Sequence, residues 1–322
     1  MKKVFTGKLI IAGAFFLSPF SSLAFEEPTV NLGASSFFDG MASINGSNAE
    51  SGFYFNEYLQ WYSADRFNDD HGNALPGAPK LNVYTSLNQL IYLADKPHFL
   101  GARLGIDALI PVVSINPSPK NTPFNANGGV LGDLTIGPAI QFDPIMHGTN
   151  PMFMHRIDLD VIVPTGSYNR NDALNPGANF LSVNPYWAGT LFLGSDLVMS
   201  WRIHYLWNDV NSNPESIYSF THPGTTSVQA GQAVHLNFDA AYNLYAHHLY
   251  GGINGYYFKQ ITESKFNGVS IAGTEERVLG IGPGIAYIFN KNFEFFLNGY
   301  FETAVANRPS GTRLNAVFAL HF

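Results

Sequence analysis

Apolar and polar residues alternate with a period of two along most of the chain. Around "LTIGPAIQF", Leu134, Ile136, Pro138, Ile140 and Phe142 fall on one face, and Asp133, Thr135, Gly137, Ala139 and Gln141 on the other. In "HRIDLDVIV", Ile157, Leu159, Val161 and Val163 oppose Arg156, Asp158 and Asp160. In "HLNFDAAYNL", Leu236, Phe238, Ala240, Tyr242 and Leu244 oppose His235, Asn237, Asp239 and Asn243. Such a pattern predicts strands with two unlike faces. A soluble β-sandwich is the competing reading, but its packed core fits poorly with charges set among apolar strand residues. A polar lumen inside a lipid-facing wall accommodates them.

About twelve such segments recur, near 52–64, 80–94, 99–113, 131–143, 153–164, 181–193, 197–209, 233–245, 248–261, 277–289, 293–305 and 312–322. Merging or splitting one hairpin would give ten or fourteen. Short connections ("DKPH", "GSD", "AHH", "NKN", and the longer "DPIMHGTN") alternate along the chain with long polar ones such as "PTGSYNRNDALNPGAN". The expected fold is all-β: an antiparallel transmembrane β-barrel over 51–322, with short periplasmic turns, long extracellular loops and both termini in the periplasm. Phe53, Tyr62, Trp187, Trp201 and Trp207 near strand ends read as an interfacial girdle.

The first 24 residues read as a signal peptide, with Lys2, Lys3 and Lys8 before the apolar "LIIAGAFFL" and a small-residue cleavage site at Ser22-Leu23-Ala24. This predicts export to the outer membrane of a Gram-negative bacterium. Residues 25–50 show neither periodicity and read as a periplasmic tail or, with Phe37 and Phe38 as contacts, a small lumen plug. Charged residues make up only 13% and aromatics 15%, yet no later stretch is apolar and long enough for a spanning helix, so the apolar residues are dispersed along strands. The formal net charge of −7 argues against nucleic acid as a partner. With no cysteine, disulfides, thiolate metal sites and cysteine nucleophiles are excluded.

The last segment, "TRLNAVFALHF", puts Leu314, Phe318 and Leu320 on one face and stops at Phe322. It reads as the signal taken up by barrel assembly machinery, and its strand is expected to pair with the first, removing an open edge that lipid does not tolerate.

Inward parity gathers Arg103, Asp107, Asp133, Arg156, Asp158, Asp160, Arg202, His204, His235, Asp239, Glu294, Glu302 and Arg313. Their mixed signs suit ion pairs that brace the wall or select a solute. Inward aromatics Tyr54, Tyr58, Phe258, Phe296 and Tyr300 would offer contacts to a hydrophobic or aromatic compound. The glycines of "GIGPGIAYIF" share one parity and precede no helix, so they read as small lumen-side residues that leave room for a plug or pore, and not as a phosphate loop. His247-His248, and His147 with His155, fall at turns where metal ligation is not expected. Ser200 and His204 share a face but stand roughly 13 Å apart, too far for a nucleophile and its base. The expectation is therefore a channel without cofactor or catalytic residues, in contact with outer-membrane lipid and lipopolysaccharide. The alternative is a non-conducting structural or binding barrel.

"GDLTIGPAI", "VIVPTGSYN", "NPGANFLSVNPYWAGT" and "GIGPGIAYIF" resemble the phenol meta-pathway degradation family of outer-membrane β-barrel proteins, over roughly 50–322. The resemblance implies a barrel associated in some bacteria with aromatic-compound catabolism, helping hydrophobic substrates or metabolites across. It carries no catalytic residues to transfer.

Overall fold

The structure is a computed structural model and describes residues 51–99, 101–119 and 124–322. The expected signal peptide (1–24) and tail or plug (25–50) lie outside the described residues. The strands are β1 (Gly52–Phe67), β2 (Lys80–Phe99), β3 (Ala102–Ser118), β4 (Leu134–Phe142), β5 (Ile145–His147), β6 (Asn150–Val163), β7 (Ser182–Leu193), β8 (Leu197–Asn208), β9 (Val228–Gln229), β10 (Ala233–Tyr245), β11 (Leu249–Gln260), β12 (Lys265–Phe266), β13 (Val269–Ser270), β14 (Arg277–Asn290), β15 (Phe293–Ala306) and β16 (Pro309–His321). One helical turn, α1, spans Ser216–Thr221.

Twelve long strands pair antiparallel in the order β1-β2-β3-β4-β6-β7-β8-β10-β11-β14-β15-β16, and β16 returns to β1, with β5 added beside β6 at one end. The seam runs from Tyr54 opposite His321 to Phe67 opposite Pro309. Beyond it, the Phe53 and Phe322 backbones exchange hydrogen bonds of 3.1 and 3.0 Å. The pairing of β16 with β1 closes the ring of strands, which is what a wall in lipid requires.

Alternation sorts the wall as expected. Outward residues such as Leu59, Ile106, Ile157, Ile203, Ile253 and Phe301 are exposed, while their inward neighbours are buried. Tyr62 is an exception to the expected girdle: it faces inward, and its hydroxyl donates to Glu302 Oε2 at 2.7 Å. It stands one step out of phase with Trp61, which takes the outward position. The glycines at 280 and 282 do point inward, but they open no pore. A Cβ on Gly280 would lie 2.4 Å from the Tyr256 ring, so the glycine makes room for that side chain.

One end of the barrel has tight turns at 194–196, 246–248 and 291–292. The other carries the long loops, but their alternation fails at the last hairpin, where only Asn307 and Arg308 join β15 to β16. Asn307 adopts a φ of 55°, the left-handed conformation a tight turn needs, and its side chain donates to the Gly273 and Glu275 carbonyls at 2.9 Å each. Elsewhere the loops fold over the mouth. Leu174, from the connection between β6 and β7, is buried against inward Phe67 and Leu81. α1 and the small β9-β12-β13 sheet close on Tyr218, Val228 and Phe266.

Candidate functional site: the polar interior of the barrel

Successive strands bring one inward side chain every second residue to the same height, so distant residues meet inside. The first cluster lies midway up. Asp107 on β3 accepts from Gln89 Nε2 at 2.6 Å, and Gln89 Oε1 in turn accepts from Tyr58 at 2.8 Å and Asn56 at 3.0 Å. Two strands along the wall, on β6 beyond β4, Arg156 Nε lies 3.2 Å from Asp158 Oδ2, and both are almost wholly buried. Arg156 also donates to the Tyr186 hydroxyl. The guanidiniums of Arg156 and Arg202 sit 5.5 and 5.4 Å from the centre of the Tyr186 ring. His204 stacks on His235 with ring centres 3.9 Å apart, and His235 Nε2 shares a 3.0 Å hydrogen bond with Asn184.

Between these groups lies a cavity lined by Leu87, Leu109 and Ile162 on the apolar side and by Asp107, Asp160 and Arg202 on the charged side, among others. Its free space is only ≈ 30 Å³, room for a few waters. The arrangement offers apolar walls together with donors and acceptors held by charge.

The second cluster lies toward the loops. Glu302 accepts from Tyr62, from Tyr256 at 2.7 Å and from the Gly311 backbone at 2.9 Å. Arg313 donates to Gln60 at 3.2 Å and lies 4.8 Å from the Tyr62 ring centre and 5.6 Å from that of Tyr256. Tyr300 packs edge-on against Tyr256.

The expected interior residues therefore divide. Asp107, Arg156, Asp158, Asp160, Arg202, His204 and His235 come together in the first cluster, and Tyr300 and Arg313 in the second. Asp239 is buried on β10 opposite Ser200 and Asn254. Arg103 is half-buried at the turn end of β3. Asp133 stands apart, just before β4, where its carboxylate accepts from the backbone of Gly166 at 2.8 Å and Ala178 at 2.7 Å. It ties the base of the long β6–β7 loop; burial raises its carboxyl against the lowering pull of those amides. Ser200 is hydrogen-bonded to Thr190 at 3.2 Å, and His204 is engaged with His235. Leu314 and Leu320 are exposed on the outer wall, on the parity of Phe318, and Phe322 is 68% exposed with its ring 6.4 Å from that of Phe53. Gln60, Gln89, Asn184 and Tyr186 join these clusters without being expected there, because they carry no charge to mark them. Their inward parity within "SLNQLIYL" and "SVNPYWAGT" is the sequence signal that points to Gln89, Asn184 and Tyr186.

Several known proteins share features with this chain. The crystal structure of the COG4313 outer membrane channel from Pseudomonas putida F1 superposes with a TM-score of 0.72 at 18% identity, over 84% of this chain and 96% of that one. The β domain of the Bordetella autotransporter BrkA gives a TM-score of 0.47 at 9% identity, over 85% and 100%. No curated protein matches the sequence. The first similarity bears on fold, and it agrees with the closed barrel described above. A family model described as "Putative MetA-pathway of phenol degradation" matches residues 64–318. Because that match spans nearly the whole described barrel, the chain belongs to this family.

Proposed function

We propose that the protein is an outer-membrane channel for the passive passage of small hydrophobic or aromatic compounds, exported by a signal peptide cleaved near Ala24 and inserted by barrel assembly machinery into the lipid and lipopolysaccharide bilayer. The observation that carries this reading is the interior itself. Leu87, Leu109, Ile162 and buried aromatics such as Tyr58, Phe296 and Tyr300 alternate with a braced charge network, a lining that suits an apolar guest with one polar group. Membership of a family described by phenol degradation, and likeness to a Pseudomonas putida outer membrane channel, support the same reading. The proposal includes no catalysis. The loop end faces outside and the tight turns face the periplasm. A guest larger than a few waters enters this cavity only if lining side chains such as Tyr186 and Arg202 move aside.

Initial uptake of an aromatic compound at limiting concentration should fall in a deletion strain and return with a plasmid copy; unchanged uptake and growth count against the channel. The small cavity of the first cluster favours one second reading, a non-conducting barrel that acts through its loops. Planar-bilayer recordings separate the two, because that barrel shows no conductance steps.

A further inference from the structure

Among the described residues, the outer wall is apolar between its aromatic levels except at one place. On β1 the outward positions read Phe53, Phe55, Glu57, Leu59 and Trp61, so a carboxyl stands four residues from each of the outward rings Phe53 and Trp61. Four residues of strand span roughly 13 Å, which places Glu57 near the middle of an apolar band about 25 Å tall. Among the described residues, the exposed charges of the barrel strands lie elsewhere. Asp65, Arg66, Lys80, Lys259 and Arg277 are within two residues of a loop-end terminus, and Asp95 lies in the stretch of β2 beyond its last β1 partner, Leu93.

Glu57 is held in place. Ser86 Oγ donates to its Oε1 at 2.6 Å, Asn88 Nδ2 donates to Ser86 Oγ at 3.0 Å, and Asn88 also reaches the Ile110 carbonyl at 3.4 Å. Ser86 and Asn88 occupy outward positions of β2 as well, between Tyr84 and Leu90. A polar trio on a lipid-facing wall is costly, because hydrocarbon answers none of its hydrogen bonds, and an ionisable residue at such depth marks a site.

Beside the trio, toward the loops, the wall is concave. Leu59, Trp61, Tyr84, Val112, Val130 and Leu314 border an apolar groove of ≈ 440 Å³, and Ser86 belongs to both groove and trio. The overhang exists because β4 begins only at Leu134. The chain before it crosses the upper part of β3, fastened where the Val113 N–H donates to the Val130 carbonyl at 2.6 Å.

We propose that this groove binds a membrane-dissolved amphiphile, an apolar chain or ring ending in a hydroxyl or ammonium group. The head donates a hydrogen bond to the Glu57 carboxyl, while the apolar part lies along Trp61 and Tyr84 beneath Val130. Charge and shape select this occupant. A carboxyl at mid-depth calls for a donor, which the acyl chains of structural lipids do not carry there. A second copy of the chain would present either a convex apolar wall, which satisfies neither carboxyl nor groove, or its own Glu57, which sets like charges together. The site stands apart from the lumen and does not depend on passage through it.

The test uses the purified full chain in lipid nanodiscs, with 4-octylphenol as probe and 4-octylanisole, which lacks the donor, as its control. The signal is the fluorescence that the protein loses on Trp61→Phe substitution. The phenol should give a saturable change and the anisole should not, with the apparent Kd for the phenol rising about tenfold in Glu57→Leu, the cost of one lost hydrogen bond. Equal, unsaturable responses to both probes overturn the proposal without recourse to any variant at Glu57. So does an unchanged Kd in a folded Glu57→Leu barrel, or efficient cross-linking of a Glu57→Cys variant into dimers, which would show a second copy on this wall.

Discussion

Glu215, in the loop after β8, is half-buried, and burial pushes its carboxyl up to about 7 against the lowering effect of the Asn175 amide. The folded loop thus holds this proton more tightly than the unfolded chain, whose glutamate titrates near 4.5. The contribution to loop stability is full below the lower value, is lost as pH rises between the two, and is constant above the upper one. Hydrogen exchange, corrected for its intrinsic pH dependence, should show weaker protection of residues 209–227 at about pH 8 than at about pH 5.5. Glu215→Gln should abolish the difference, and equal protection in the parent protein would contradict the assignment. Inside the barrel, Arg156→Met strands Asp158 without its partner. It should destabilise the barrel by about 3–5 kcal/mol, and Arg156→Met with Asp158→Asn by clearly less. Denaturant titration in detergent reads both. If the two variants unfold alike, the ion pair is not what the wall depends on. Charged members of this cluster were legible in the sequence, since an Asp or Arg among apolar strand residues faces the lumen unless outer-wall partners hold it, as Ser86 holds Glu57. Tyr186, Gln89 and Asn184 were not, because neutral polar and aromatic residues are at home on either face.

At the level of single strands, period-two alternation located every long strand to within a few residues, because a wall between lipid and lumen enforces it at each step. It failed where that constraint lapses. β4 begins at Leu134 and not near 131, since the preceding residues are claimed by loop contacts with Val113. Size and position suggest an outward Tyr62, although its neighbour Trp61 already holds the outer place. The seam between β1 and β16 leaves no room at Gly311, where an added Cβ would meet the Ser63 carbonyl oxygen at 1.9 Å. Gly311→Val should therefore prevent closure and abolish the folded band that migrates differently unless heated. A normal heat-modifiable band would show that the seam relaxes. Deleting Phe322 should reduce the amount of assembled barrel in the outer membrane, since the exposed terminal ring is proposed as an assembly signal and its backbone closes the last pair of hydrogen bonds with Phe53. Undiminished assembly would show that the terminal ring is not an assembly signal.

For the molecule as a whole, twelve strands form a closed wall around two braced polar clusters, with a cavity of only ≈ 30 Å³ within the first and the loops between β6 and β10 folded over the barrel mouth. Closure and strand number could be read from the alternation and from the last strand, because both follow from local pattern. How tightly the lumen packs could not, since it depends on which side chains meet across the barrel. Passage of small apolar compounds through that interior is the proposed activity. Leu109 and Ile162 line the cavity of the first cluster on its apolar side. The most direct test is the initial uptake rate of phenol by cells carrying Leu109→Trp with Ile162→Trp, compared with cells carrying the parent protein at equal levels of assembled barrel. Uptake reduced to the rate of the deletion strain is the predicted result. Uptake equal to the parent, in cells where deletion itself slows entry, would contradict passage through the lumen.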